Sequence, residues 1–180
     1  MKKMRALYVL LLVMFVVGCV DIKSDASSLP IPSGQRTIDN DVLASSGYSN
    51  SNPSGNYKYL EESSLFNGDA RVTDAGKTGN YTYQHSGLML TPKFYASLGV
   101  YLNYSGFTDP AAIYKIMTNG SYVSFGSINQ DVAPSGWSYR RSPTVANAMR
   151  VSGIQLSASG RSGTRTGADA ISVEYWSNVP

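Results

Sequence analysis

Short stretches in which apolar and polar residues alternate run along most of the chain. Asn80–Gln84 alternates residue by residue, as a half-buried β-strand does. Phe94–Tyr104 is an apolar and aromatic run with Gly99 inside it, which predicts a buried strand that bends or bulges at the glycine. The pattern indicates strands rather than helices.

A hairpin signal and two further strand patterns near the C-terminus also predict β-structure. Ala112–Met117 and Ser121–Ile128 flank Asn119-Gly120, a dipeptide typical of two-residue hairpins. Val151–Ser157 and Ala168–Trp176 end the chain as strands. Strands about every 10 to 15 residues, with Gly, Asn and Pro between them, predict an all-β fold, an antiparallel β-sandwich. The 13 Tyr and 17 Gly fit that class.

The N-terminus has the layout of a bacterial lipoprotein signal. A basic start is followed by the apolar run Ala6–Val17, which is too short to span a hydrocarbon core of roughly 30 Å. Val16-Val17-Gly18-Cys19 resembles the lipobox, whose cysteine receives a diacylglyceryl group. Cys19 is the only cysteine, so it has no disulfide partner. An ordinary signal that happens to end in cysteine is the alternative.

These features predict three segments and a location. Residues 1–18 form the signal peptide, 19–35 the lipidated cysteine and a flexible tether rich in Ser and Pro, and 36–180 a β-sandwich domain. Part of the tether packing on the domain edge is the alternative. We expect an exported protein, lipid-anchored to a bacterial membrane. Val20, rather than Asp, after the cysteine favours the outer membrane if the host is Gram-negative.

Charge narrows the possible partners. The chain has 15 basic and 12 acidic residues, but Lys2, Lys3 and Arg5 leave with the signal. The remaining chain is close to neutral, which argues against a nucleic-acid partner. Attachment to the membrane must therefore come from the lipid rather than from a polybasic patch.

Catalytic and metal chemistry has little support in the sequence. His85 is the only histidine, and its Gln-His-Ser-Gly context indicates a surface turn. We predict no enzyme and no cofactor, although two carboxylates in one cleft would suffice for a glycosidase. A structural calcium ion in the turns is conceivable, and Asp39-Asn40-Asp41 is the nearest approach to a calcium loop.

An aromatic and basic cluster is the strongest candidate for ligand binding. Trp137 and Tyr139 flank Ser138 and lead into Arg140 and Arg141. A flat ring can stack on the apolar face of a sugar, and arginine can bond its hydroxyls or a uronate carboxylate. The alternative is that Trp137 is a core or corner residue, with Tyr139 pointing the same way. Tyr48 carries the same ambiguity.

The order of short motifs resembles the golvesin C-terminal-like domain, which is also found attached to xanthan lyases. The resemblance rests on Thr37–Asp41, Ser46–Ser49, Val100–Tyr104, Ala112–Ile116, Ile128–Gln130 with Gly136-Trp137, Ile154–Ser157 and Ala168–Val173. It covers about residues 36 to 176 and implies a galactose-binding-like jelly roll without catalytic residues. It also implies structural roles for Asp39, Asn40, Gln130 and Asp169, the last bonding backbone of the opening segment.

Three functions follow in order of preference. The first is a surface-anchored binding module for a glycan or cell-envelope polymer. The second is a structural lipoprotein that pairs with another envelope protein and has no sugar ligand. The third is a polysaccharide hydrolase or lyase, which would need carboxylates that converge in one cleft.

Overall fold

A computed structural model describes residues 34–40, 48–51, 54–90, 94–118, 121–133, 135–142 and 149–177. The predicted signal peptide, Cys19 and most of the predicted tether lie outside the described residues. All of the described residues belong to one compact unit, Ile31–Pro180. Among them, no helix is long and apolar enough to cross a membrane.

The described chain is built almost entirely of antiparallel strands. Their bounds are β1 Gly34–Ile38, β2 Tyr48–Ser51, β3 Tyr57–Glu61, β4 Asp69–Thr73, β5 Asn80–Leu90, β6 Phe94–Leu102, β7 Ala112–Thr118, β8 Ser121–Ile128, β9 Gly136–Arg141, β10 Met149–Ser157, β11 Gly167–Ala168 and β12 Ile171–Ser177. A 3-10 turn, Phe66–Gly68, precedes β4.

Two sheets form a jelly-roll β-sandwich, as the sequence predicts. The four-stranded sheet has the order β1-β12-β6-β9, and the five-stranded sheet has the order β2-β5-β10-β7-β8. A small third sheet, β11-β4-β3, accompanies them. Because β1 pairs with β12 from Gly34 opposite Tyr175 to Ile38 opposite Ile171, the two ends of the domain meet. This pairing begins two residues before the predicted boundary at residue 36.

Alternation along each strand sends one set of side chains into a shared core. From the four-stranded sheet, Leu98, Val100 and Val173 are fully buried; from the five-stranded sheet, Ile116 and Ile154 are fully buried. These residues belong to one continuous apolar cluster. The alternate residues of each strand therefore lie on the outer side of its sheet, away from the core.

Several predicted strands are confirmed, but the predicted irregularity lies elsewhere. β6 passes through Gly99 with no shift in register against either neighbour. The irregularities lie between Val151 and Gly153 on β10, and between Tyr114 and Lys115 on β7. The prediction of a bend or bulge at Gly99 is therefore wrong, and the glycine has another role, described below.

His85 is not a surface turn residue. It lies in β5, it is only 5% exposed, and its Nε2 is 3.0 Å from the Tyr175 hydroxyl of the opposite sheet. The Ser-Gly after the histidine favours a turn, whereas His85 pairs with Tyr48 of β2, and the pairing of β5 with β10 skips residues 85–87 and resumes at Leu88. The only histidine of the chain therefore belongs to the interior of the sandwich.

One buried carboxylate fastens the loops at one end of the sandwich. Asp109 accepts hydrogen bonds from the backbone of Ala111 and Ser159, at 2.9 Å each, and from the hydroxyls of Ser159 and Thr166. Burial raises the pKa of Asp109, but these hydrogen bonds outweigh burial and hold the pKa below its ordinary value. The turn bond to Ala111 is local, and the other three join distant segments.

Candidate aromatic binding face

Strand β9 carries most of the predicted ligand-binding residues. Trp137, Tyr139 and Arg141 are two residues apart, so they project from the same side of the strand. They lie opposite Tyr101, Gly99 and Ser97 of β6. Since Leu98 and Val100 of β6 point into the core, this side is the outer side of the four-stranded sheet.

Because successive side chains of a strand point to opposite sides, Arg140 does not project on the same side as Trp137, Tyr139 and Arg141. Arg140 lies opposite Leu98, whose side chain points into the sandwich, so Arg140 leaves the strand on the other side. It is nevertheless exposed, because β9 is the last strand of its sheet. At this edge, Arg140 lines a groove of 360 Å³ together with Trp137, Tyr139, Asn129 and Val132, beside the end of β8, so it still lies near the two rings.

We use the term aromatic face for the outer side of β6, β9 and β12. Its members are Tyr95, Tyr101, Trp137, Tyr139, Arg141 and Trp176. Sequence reasoning finds Trp137, Tyr139 and Arg141 because they are adjacent in the chain. It misses Tyr95, Tyr101 and Trp176, which join the group only through strand register, with Tyr95 opposite Trp176 and Tyr101 opposite Trp137.

Trp137 is neither a core residue nor a loop residue. It is half-buried, and its ring meets the ring of Tyr101 edge-to-face, with centroids 5.5 Å apart. Phe66, from the 3-10 turn before β4, packs against Trp137 at 5.8 Å. Such tilted contacts suit aromatic pairs and fix the orientation of the indole.

Tyr139 is the most exposed ring of the face, at 65%. It lies over Gly99: a Cβ placed on Gly99 would be 2.8 Å from Tyr139 Cε1 and 3.2 Å from Trp137 Cε3. A side chain at position 99 would therefore lift these rings. The glycine lets Trp137 and Tyr139 approach the backbone of β6 closely.

A second aromatic pair continues the face. The rings of Tyr95 and Trp176 are stacked, with centroids 6.0 Å apart and an angle of 9° between their planes. The guanidinium carbon of Arg141 lies 3.5 Å from the centroid of the Tyr95 ring. This cation–π contact positions the arginine between the two groups of rings.

The remaining predicted residues lie elsewhere. Tyr48 is in β2 of the five-stranded sheet, opposite His85, so the structure does not bring it to the aromatic face. Gln130 is buried; its Nε2 donates to Tyr114 Oη and to the carbonyl of Gly167, at 3.0 and 2.9 Å, and its Oε1 accepts from the amide of Gly167 at 2.8 Å. It ties the loop after β8 to β11.

The predicted structural residues Asp39, Asn40 and Asp169 belong to a buried polar cluster near the end of β1. Asp39 accepts from Asn67 Nδ2 at 2.6 Å, and Asn40 Nδ2 donates to Asp69. Asp169 Oδ2 accepts from the amide of Phe66 at 3.1 Å, rather than from the opening segment. The cluster therefore joins the opening segment and the start of β12 to the 3-10 turn.

Burial raises the pKa of Asp169 to about 7, helped by the nearby charges of Asp39 and Asp69. Oδ1 of Asp169 has no hydrogen-bond partner among the described residues. Within that part of the chain, no group of three or more His, Cys, Asp or Glu is placed to hold a metal ion.

A cleft lies at the loop end of the sandwich. It measures 590 Å³ and is lined by Asn103, Tyr104, Gln130 and two carboxylates, Glu62 and Asp131, among others. Both carboxylates are exposed. A glycosidase that used this cleft would depend on Glu62 and Asp131.

Comparison with known proteins gives structural likenesses only. No family model and no curated protein sequence matches this chain. A Paenibacillus xanthan lyase contains a similar region, with a TM-score of 0.53 at 15% identity over 81% of this chain and 13% of the lyase. At that identity the likeness shows a shared fold.

Two carbohydrate-binding modules are also similar in structure. CBM29_1, a family 29 module from Piromyces equi, aligns with a TM-score of 0.47 at 11% identity, over 78% of this chain and 91% of the module. The C-terminal CBM6 of LamC, a marine laminarinase from Zobellia galactanivorans, aligns at 0.43 and 12% identity, over 78% and 99%. The predicted antiparallel β-sandwich is confirmed by the order of the strands in its sheets, and membership of the golvesin-like family stays a prediction.

Proposed function

We propose that this chain is a non-catalytic module that binds a polysaccharide across its aromatic face. The observation that carries the proposal is the placement of Trp137 and Tyr139 side by side over Gly99, on the outer side of a sheet. A half-buried indole and a 65% exposed phenol ring keep apolar surface in contact with solvent. A bound sugar would cover that surface.

The chemistry of the face suits a sugar chain. The C–H groups of a pyranose form an apolar face that packs against an aromatic ring, while its hydroxyls need donors and acceptors. Arg141, held 3.5 Å from Tyr95, offers donors beside the rings. Because the rings follow an open sheet rather than an enclosed pocket, an extended polymer fits better than a small molecule.

Alanine variants test this proposal. With the full chain in detergent and a panel of soluble and insoluble polysaccharides, we expect W137A and Y139A each to weaken retention of the bound polymer about tenfold. A loss of that size corresponds to about 1.4 kcal/mol for an aromatic anchor. Tyr59, 49% exposed and outside the face, supplies the matched control Y59A, which should bind as the natural chain does. Unchanged retention by both variants would contradict the proposal.

The same samples distinguish the other two functions. Release of new reducing ends, lost in E62Q or D131N, would indicate a hydrolase that uses the loop-end cleft. Cross-linking in cells that captures a protein through position 139, with no polysaccharide retained, would indicate an interaction lipoprotein.

The proposed module is also a lipoprotein, anchored to a bacterial membrane through Cys19. Two or three acyl chains, at roughly 0.8 kcal/mol per buried methylene, hold a protein firmly, and clustering on a surface strengthens weak binding to a polymer. C19S should move the protein from the membrane fraction to the soluble exported fraction. Retention of the variant in the membrane would contradict the anchor.

A further inference from the structure

The outer side of the five-stranded sheet carries a second group of residues suited to a ligand. Lys115 of β7 lies opposite Gln155 of β10 and Ser124 of β8. Tyr122 of β8 is 51% exposed. Its hydroxyl accepts a hydrogen bond from Gln155 Nε2 at 3.3 Å, and Lys115 Nζ is 5.7 Å from the centroid of its ring. Lys115 and Gln155 are therefore gathered around one exposed ring, that of Tyr122.

Charge on this sheet has one sign. β2, β5, β7, β8 and β10 contain no Asp or Glu, whereas they contain Lys115 and Arg150. Arg150 is exposed at the start of β10. Among the described residues, the recorded ion pair joins Lys58 and Asp74, and Lys115 takes part in none. Within the described part of the chain, the charge of Lys115 therefore has no acidic ion-pair partner and is available to an anion.

We propose that this sheet is a second glycan site, which takes polysaccharides that bear carboxylate groups. A sugar ring stacks on Tyr122, and the carboxylate of a uronic-acid residue lies against Lys115. Gln155 and Ser124 supply hydrogen-bonding groups for the hydroxyls. The absence of acidic residues from the strands of this sheet removes the repulsion that would otherwise oppose an anionic polymer.

This inference goes beyond the aromatic face, because the two sites lie on different sheets. The inner residues of both sheets share one core, so their outer sides face away from each other. A domain with two such sites holds two polymer segments at once. That arrangement would link an acidic polysaccharide to a second glycan chain.

A matched pair of polymers tests the second site. Polygalacturonate and its fully methyl-esterified form share a backbone and differ in charge. With the full chain in detergent at low salt, we expect polygalacturonate to bind about fivefold more tightly, the preference that one exposed charge contact can give. The preference should fall as salt rises, because ions screen exposed charges.

Four variants locate the effect. K115Q should abolish the preference, and Y122A should weaken binding of both polymers at this site. K77Q removes an exposed lysine in the turn before β5 and should leave the preference intact. W137A should weaken total binding of both polymers but should still show a preference for polygalacturonate, because Trp137 lies on the other sheet. A preference that survives K115Q, or that disappears in W137A, would overturn the second site.

The outcomes separate this site from the proposed function. If a neutral polysaccharide is retained through Trp137 and the two polymers bind equally, only the second site fails. If K115Q abolishes a charge preference while no neutral polysaccharide is retained, the aromatic face fails and the second site stands.

Discussion

At Gly99 the absence of a side chain shapes the candidate site. A Cβ there would be 2.8 Å from Tyr139 Cε1, which is the end of an exposed ring that can move. We expect G99A to lift the ring of Tyr139 and to weaken polysaccharide retention several-fold, with little change in the unfolding temperature. S97A, on the same side of β6, should change neither quantity. A G99A chain that binds normally would show that the close approach is not needed.

Asp169 makes the stability of the fold depend on pH. Its pKa is raised to about 7 in the folded chain, so between about pH 4 and 7 the folded state keeps a proton that the unfolded chain releases. The unfolded state then binds fewer protons, and the free energy of unfolding falls as pH rises through this window. Below about pH 4 both states hold the proton and the effect vanishes.

Replacement by asparagine tests this account. Because D169N cannot ionise, its stability relative to the natural chain should rise by about 1–3 kcal/mol between pH 4 and 8. Urea denaturation at several pH values measures it. D74N is the control of opposite sign, because a hydrogen bond from Lys58 lowers the pKa of Asp74, so the natural aspartate gains stability as pH rises. A difference between D169N and the natural chain that stays constant with pH would contradict the account.

At the scale of elements, the irregularity of β10 depends on Gly153. This residue has a φ of 157°, and a Cβ on it would lie 2.1 Å from the carbonyl oxygen of Tyr83 in the paired strand β5. The obstacle is backbone rather than a mobile side chain, so the strands must separate. We expect G153A to cost about 2–3 kcal/mol of unfolding free energy, as overpacking a core does. S152A, one residue earlier, should stay within about 0.5 kcal/mol, and equal stability of the two variants would sink this reading.

The sequence predicts strands well where their alternation is regular and long. β7, β8 and β10 are read from their residues alone, and the pairing of Thr118 with Ser121 confirms the two-residue hairpin connection. The sequence does not indicate a strand at β9, because turn residues precede it and its residues are half-buried or exposed throughout. An edge strand that buries no complete face has no strong hydrophobic pattern.

The same distinction applies to the candidate sites: residues close together in the sequence can be predicted, and residues brought together by strand pairing cannot. Trp137, Tyr139 and Arg141 form a local pattern, so chain order reveals them. The place of Gly99 beneath their rings, and the pairing of Tyr95 with Trp176, depend on the register of β6 against β9 and β12. His85 shows the same limit, since its burial comes from Tyr175 on a strand 90 residues away. A group of functional residues that are adjacent in the chain can be predicted from the sequence, whereas contacts between distant strands can be identified only from the structure.

At the scale of the whole molecule, the proposed function makes the sandwich a carrier of two binding faces, one on the outer side of each sheet. Its inner residues form one apolar cluster, and buried polar residues such as Asp109 and Gln130 fasten the loops at its end. Neither outer side needs to move to accept an extended chain. The predicted tether and the lipid on Cys19 would hold this carrier at a membrane, where many copies bind one polymer together.

Tryptophan fluorescence tests the central claim most directly, because the chain has two tryptophans and both lie on the aromatic face. If a polysaccharide covers this face, titrating it into the full chain should shift the emission to shorter wavelength along a saturable curve. The shift should persist in W176F, in which Trp137 is the only emitter, and weaken in Y139A. A polysaccharide that is retained by the chain while the emission of both tryptophans stays unchanged would contradict the account.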